Sequence, residues 1–201
     1  MDIEDIEKHY ERMSDDEIIR ITTKDGRGLR PEVFGIIKKE IKKRNLNPDL
    51  LNGAIAQNKD YSIFELEQYA NILRKLPCPI CGKTKEQLNG TIAHTVKGFL
   101  FFAVSNTKTS IACPECLDNT NDNAVLSTFF LGWWDLPWGF IKTPVYIYRN
   151  IKAKKQNWLY TPNSTLLAFT EVNIGAIEIY KNDKEKLSEI IDTKKPSALR
   201  K

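Results

Sequence analysis

The chain has 201 residues, 41% hydrophobic and 28% charged, with a formal net charge of +4. That length and apolar fraction allow one or two domains with real cores and exclude a disordered polymer. The excess charge is local: residues 124–156 carry five basic side chains against one acidic, while the remaining stretches are close to balance, so an anionic partner is expected there.

The first clear start signal is Ser14-Asp15-Asp16-Glu17, a capping box ahead of Ile18, Ile19 and Ile21. After the turn-forming Lys24-Asp25-Gly26-Arg27-Gly28, Pro31 opens a second helix through Val33, Ile36, Ile37 and Ile41. Lys42, Lys43 and Arg44 then suit its negative end. This basic run is read as a solvated helix face, because Glu40 and the acidic first helix accompany it. Asn47-Pro48 opens a third helix through Leu50, Leu51 and Ile55, and a second capping box, Ser62 to Glu65, opens a fourth. Pro77 stops that helix, so residues 1–76 read as a helical domain whose most economical job is packing or partner binding.

Two Cys-x-x-Cys pairs follow, Cys78-Pro79-Ile80-Cys81-Gly82 and Cys113-Pro114-Glu115-Cys116. Four thiolates are the set that tetrahedral Zn²⁺ takes in closed structural sites, where no position is left for water. One structural Zn²⁺ per chain, on Cys78, Cys81, Cys113 and Cys116, is therefore expected in a ribbon over residues 77–123, with the second pair on a second hairpin. Disulfides are the rival, but the Met1-Asp2-Ile3-Glu4 start is acidic rather than leader-like, and a reducing cytoplasm is the expected home. A thioredoxin-like role would need a βαβ pattern, which neither pair has around it. Between the pairs, Thr91 to His94 and Lys97 to Ser105 read as the strands of a small antiparallel sheet. His94 is given to a strand rather than the metal, since four sulfurs fill the tetrahedron. Phe99 to Phe102 is a continuous apolar run, as a strand covered on both faces requires.

In residues 124–148, 16 of 25 are apolar, and three of the four tryptophans fall between 133 and 138. A straight span needs about 20 apolar residues. The uncharged stretch here has 11 before Asp135, and Pro137 and Pro144 follow. Tryptophan and tyrosine favour the headgroup level, and Arg149, Lys152, Lys154 and Lys155 come next, where cations meet anionic lipid. Residues 124–156 thus fit an aromatic, amphipathic helical hairpin dipping into one leaflet, with Phe129, Phe130, Trp133, Trp134, Trp138, Phe140 and Lys142 as membrane or partner contacts. The alternatives are that these rings pack on the ribbon as soluble core, or that the segment spans. Residues 157–192 hold helical signals at Asn163 or Ser164 and at Asn182 with Glu185, and residues 193–201 read as a loose tail.

The two cysteine pairs resemble zinc-ribbon knuckles. Leu131-Gly132-Trp133-Trp134-Asp135-Leu136-Pro137-Trp138-Gly139-Phe140-Ile141-Lys142-Thr143-Pro144 is similar to the signature of a bacterial, Bacteroidetes-type group in which a Cys-rich ribbon precedes a membrane-associated Gly-Trp-Trp-x-x-Pro-Trp-Gly segment. Met13 to Ile19, Leu29 to Glu32 and Lys43 to Leu46 resemble a short helical module common in such proteins. Asp135 departs from the group, which tends to have glycine there, and a carboxylate disfavours deep insertion. No activity carries over from the resemblance. The expected class is α+β, and the expected function is a non-catalytic zinc-ribbon adaptor at the inner face of the cell membrane or on a membrane protein. The alternative is a soluble nucleic-acid- or protein-binding module, since Lys142, Tyr146, Tyr148 and Arg149 interleave charge with stacking surface. No Ser/His/Asp set, paired-carboxylate motif or small-molecule site is legible.

Overall fold

A computed structural model describes residues 2–99, 102–134 and 138–192. In chain order its elements are α1 (Ile3–Arg12), α2 (Asp15–Arg20) continuing into a π-helical turn (Ile21–Asp25), α3 (Pro31–Lys43), α4 (Leu50–Gln57) and α5 (Ile63–Arg74). Then come β1 (Asn89–Phe99), β2 (Phe102–Ala112), α6 (Pro114–Leu131), a 3-10 turn (Gly132–Trp134) and α7 (Trp138–Asn157). Last are α8 (Ser164–Val172), α9 (Ile174–Tyr180) and α10 (Lys184–Ile191). The described residues thus form a mixed helix and sheet protein with a two-stranded antiparallel sheet. They fall into two compact units, one of residues 2–69 with 170–190, the other of 70–169 with 191 and 192.

The first unit packs Ile6, Tyr10, Ile18, Ile37, Ile41, Leu50, Ala54 and Ile179 into one core. Its local signals act as read: Ser14 and Glu17 form the reciprocal box, Ser62 and Glu65 repeat it, and Pro31 stands in the first turn of α3. Helix α1 lies ahead of the first start signal recognised above. Asp2 caps it, its Oδ1 accepting the Ile3 N–H at 2.7 Å, and Ile6 and Tyr10, one turn apart, are its buried face. The π turn has a local cause, because the Thr22 and Thr23 hydroxyls donate back to the carbonyls of Ile18 and Ile19 and loosen the ladder. Gln57 closes this unit: its amide donates to the carbonyls of Ile21 and Thr22 and accepts the Gly26 N–H at 2.8 Å.

In the second unit α6 and α7 pack on each other and on β1. β1 is one unbroken strand, paired from Asn89↔Ala112 to Phe99↔Phe102, where two separate strands were expected before and after residues 95–96. Phe99 and Phe102 are the last described pair of the hairpin, and the expected covered strand through Phe99 to Phe102 rests on Leu100 and Phe101, which lie outside the described residues. The free edge of β1 is covered by side chains. Asn150 of α7 accepts the His94 N–H at 2.9 Å and donates to the His94 carbonyl at 2.7 Å, so its carboxamide substitutes for a third strand. Asn163 does the same for Gly90, and the Thr128 hydroxyl accepts the Val96 N–H at 3.3 Å. Edges sealed in this way offer no template to another strand. They also fix α6 and α7 against the hairpin in one register.

Candidate metal centre

Pro77 follows α5, and Cys78 to Lys83 form a tight turn in which the Gly82 N–H bonds the Cys78 carbonyl at 2.8 Å and the Cys78 N–H bonds the Lys83 carbonyl at 2.9 Å. Gly82 has φ 73°, a left-handed conformation that glycine adopts without strain, and the turn aims both sulfurs one way. The second pair stands at the start of α6 rather than on a hairpin turn. Cys113 is the N-cap residue with extended backbone, and Pro114 occupies the first turn. A cap followed by proline and an acid is a helix-start pattern, so this placement was readable from Cys113-Pro114-Glu115.

Turn, hairpin base and helix start bring the Sγ atoms of Cys78, Cys81, Cys113 and Cys116 within 4.8 Å of one another. Cys81 and Cys113 are 3.7 Å apart. A tetrahedron with metal–sulfur bonds of about 2.3 Å has edges of about 3.8 Å. The donor set and its spacing fit a metal ion. Cys78, Cys113 and Cys116 are buried and Cys81 faces solvent, while an exposed Lys83–Glu115 ion pair at 3.2 Å ties the turn to α6.

The electrostatics point the same way. Burial pushes the Cys78 thiol up, but the backbone N–H groups of Cys113, Cys81 and Ile80 outweigh it and bring Cys78 down to about 7. Burial, helped by the Cys78 and Cys81 sulfurs, holds Cys113 up at about 11. Burial and the sulfurs of Cys113 and Cys81 raise Cys116 further still. Without a cation, Cys113 and Cys116 therefore hold their protons more tightly than Cys78 does. A divalent ion reverses that preference by giving four negative sulfurs a common partner, and the N-terminus of α6 adds its positive end. His94 is not part of this cluster: it sits on β1, half-buried, with its ring centre 5.5 Å from that of Tyr146, and burial lowers its pKa.

The remaining sequence-selected residues lie on α6, the 3-10 turn and α7. Gly132 and Gly139 mark where these elements meet. A Cβ on Gly132 would stand 2.3 Å from Thr143 Oγ1, and one on Gly139 would stand 2.5 Å from the Gly132 carbonyl oxygen. With glycine at the crossing, the flanking rings are turned outward: Trp134 is 66% exposed, Phe130 66% and Trp138 58%. Phe129 and Phe140 are also exposed, while Trp133 is half-buried against Phe140 at 5.8 Å. Asp135, Leu136 and Pro137 lie outside the described residues. Lys142 is half-buried, Arg149, Lys152 and Lys155 are exposed, and Lys154 pairs with Asp122 at 2.8 Å.

Both helices change character along their length. The outward face of α6 runs from Glu115, Asn119, Asp122 and Asn123 to Leu126, Phe129 and Phe130; that of α7 starts with Trp138, Phe140, Ile141 and Val145 and gains Arg149, Lys152 and Lys155 later. The apolar ends coincide at the crossing. No helix among the described residues is long and apolar enough to cross a membrane. No family model matches the chain, and neither a curated protein nor a solved structure is significantly similar to it.

Proposed function

We propose that Cys78, Cys81, Cys113 and Cys116 hold one structural Zn²⁺, and that the closed site stiffens a non-catalytic adaptor that docks peripherally on the anionic, cytoplasmic face of the cell membrane. The observation that carries the docking is the outward apolar end of α6 and α7, with Phe130, Trp134 and Trp138 all more than half exposed. Large exposed rings gathered at the ends of two neighbouring helices are what an interaction surface looks like. Its length agrees with a shallow site: from Trp138 to Val145 the helix advances roughly 10 Å, so even this end tipped into a bilayer would stay within the headgroup and outer acyl region. Lys142 and, further along, Arg149 and Lys152 supply the cations that attract anionic headgroups.

Nucleic-acid binding has less support, because the stacking surface is partly used. The Tyr146 ring packs on His94 and carries the Arg149 guanidinium 5.8 Å from its centre. Flotation of the full zinc-loaded chain with phosphatidylserine-containing and pure phosphatidylcholine vesicles, beside a salt titration of oligonucleotide binding, tests the proposal. Flotation with the anionic vesicles, weakened by salt, is expected. Salt-sensitive oligonucleotide binding without flotation would transfer the surface to nucleic acid.

A further inference from the structure

Arg74, the last residue of α5, is 5% exposed and has no carboxylate within ion-pair distance among the described residues. Its Nε donates to the Leu88 carbonyl at 3.1 Å, Nη1 to the Tyr160 carbonyl at 2.7 Å and Nη2 to the Leu159 carbonyl at 3.3 Å. Those neutral acceptors place the guanidinium but leave its charge uncompensated in a desolvated setting, and burial lowers its pKa accordingly. A guanidinium has five N–H groups, so two remain, one on each terminal nitrogen. Arg74 lines an open cleft of about 390 Å³ together with Gln87, Glu86, Trp158 and Tyr160. Trp158 is fixed as a wall, its indole N–H donating to Asp118 at 2.9 Å.

We propose that this cleft binds a small carboxylate attached to an apolar or aromatic body. The two unused N–H groups match the two oxygens of a carboxylate, and the buried charge makes that pairing stronger than a surface one. Glu86, half-buried on the same wall, repels a second negative charge and so favours a monoanion over a phosphate dianion. The Trp158 indole, with Pro114 and Leu159 beside it, supplies the apolar surface on which the body rests. None of the exposed rings of the docking surface lines the cleft, but it borders the metal centre, since Pro114, between Cys113 and Cys116, is part of its wall.

The test uses the full chain, with 3-phenylpropanoate as the carboxylate probe, its neutral amide as isostere and inorganic phosphate as the competing anion. The readouts are calorimetry and the Trp158 indole N–H resonance, assigned by loss of its peak in Trp158→Phe. The carboxylate should move that resonance saturably, the amide should bind at least about tenfold more weakly, and Arg74→Lys, which keeps the charge but not the fork, should weaken the carboxylate by a similar factor. If Arg74→Lys fails to fold, the amide comparison and Trp158→Ala, a half-exposed position, still decide. An unmoved resonance, equal binding of amide and carboxylate, or tighter binding of phosphate would each overturn the proposal.

Discussion

Replacing Trp134 by alanine separates a docking ring from a core ring by magnitude. The side chain is 66% exposed and spends its indole N–H on the Phe130 carbonyl one turn earlier, at 3.2 Å. Full burial of a tryptophan ring in a core makes its removal cost ~3 to 5 kcal/mol. With a third of the ring buried, the expected loss of stability is about 1 to 1.5 kcal/mol. The exposed two thirds of roughly 200 Å² would instead leave water in the bilayer, which at ~25 cal/mol per Å² amounts to about 3 kcal/mol, or a roughly 100-fold weaker partition coefficient for the variant. Thermal unfolding and vesicle co-sedimentation of the same two proteins measure both quantities. A collapse of the fold, or unchanged partitioning in a folded variant, would refute the assignment of Trp134 to a docking surface.

Cys113→Ser should lower bound zinc well below one equivalent by elemental analysis and loosen the second unit, because it removes a ligand while leaving a residue that can still cap α6. Zinc binding to the stripped protein should release protons, seen as a buffer-dependent calorimetric heat, and should weaken as pH falls because the raised Cys113 and Cys116 thiols must ionise. Asn150→Leu should cost about 1 to 3 kcal/mol in a denaturant titration, since it orphans the His94 N–H at the sealed edge of β1 and leaves the His94 carbonyl only the long 3.5 Å bond from the Thr128 hydroxyl. For Glu65, the Lys59 ammonium first, and then the Ser62 N–H and hydroxyl, hold the carboxyl down to about 2 against an ordinary 4.5. The folded-state value is depressed, so its stabilisation is full above pH 4.5 and fades as pH falls towards 2. Melting temperatures of wild type and Glu65→Gln should therefore converge over that window, and parallel curves would remove Glu65 from the acid response.

What was legible in the sequence is local. Ser14 with Glu17, Ser62 with Glu65 and Pro31 act within a single helical turn, and each stands where its spacing put it. The two cysteine pairs carry their own geometry, and only the element bearing the second was misassigned. The single β1 strand was missed because the β-rich run from Thr91 to Ser105 has no local signal for where one strand ends and the next begins, and the pairing with β2 that fixes those ends is not legible locally. The sealing residues were not legible at all. Asn150 meets His94 across 56 positions and Arg74 meets Tyr160 across 86, and an asparagine or arginine in isolation reads as surface. The outward turn of the tryptophans likewise depends on Gly132 and Gly139 meeting in space, which spacing alone does not reveal.

Depth-dependent quenching of tryptophan fluorescence by brominated lipids tests most directly whether a metal-stiffened aromatic end rests in a bilayer. With zinc-loaded protein on phosphatidylserine-containing vesicles, bromines near the headgroup should quench strongly and bromines near the acyl-chain ends weakly, and both should lose effect in high salt. Emission indifferent to bromine at every depth, with the protein left in the supernatant, would contradict it.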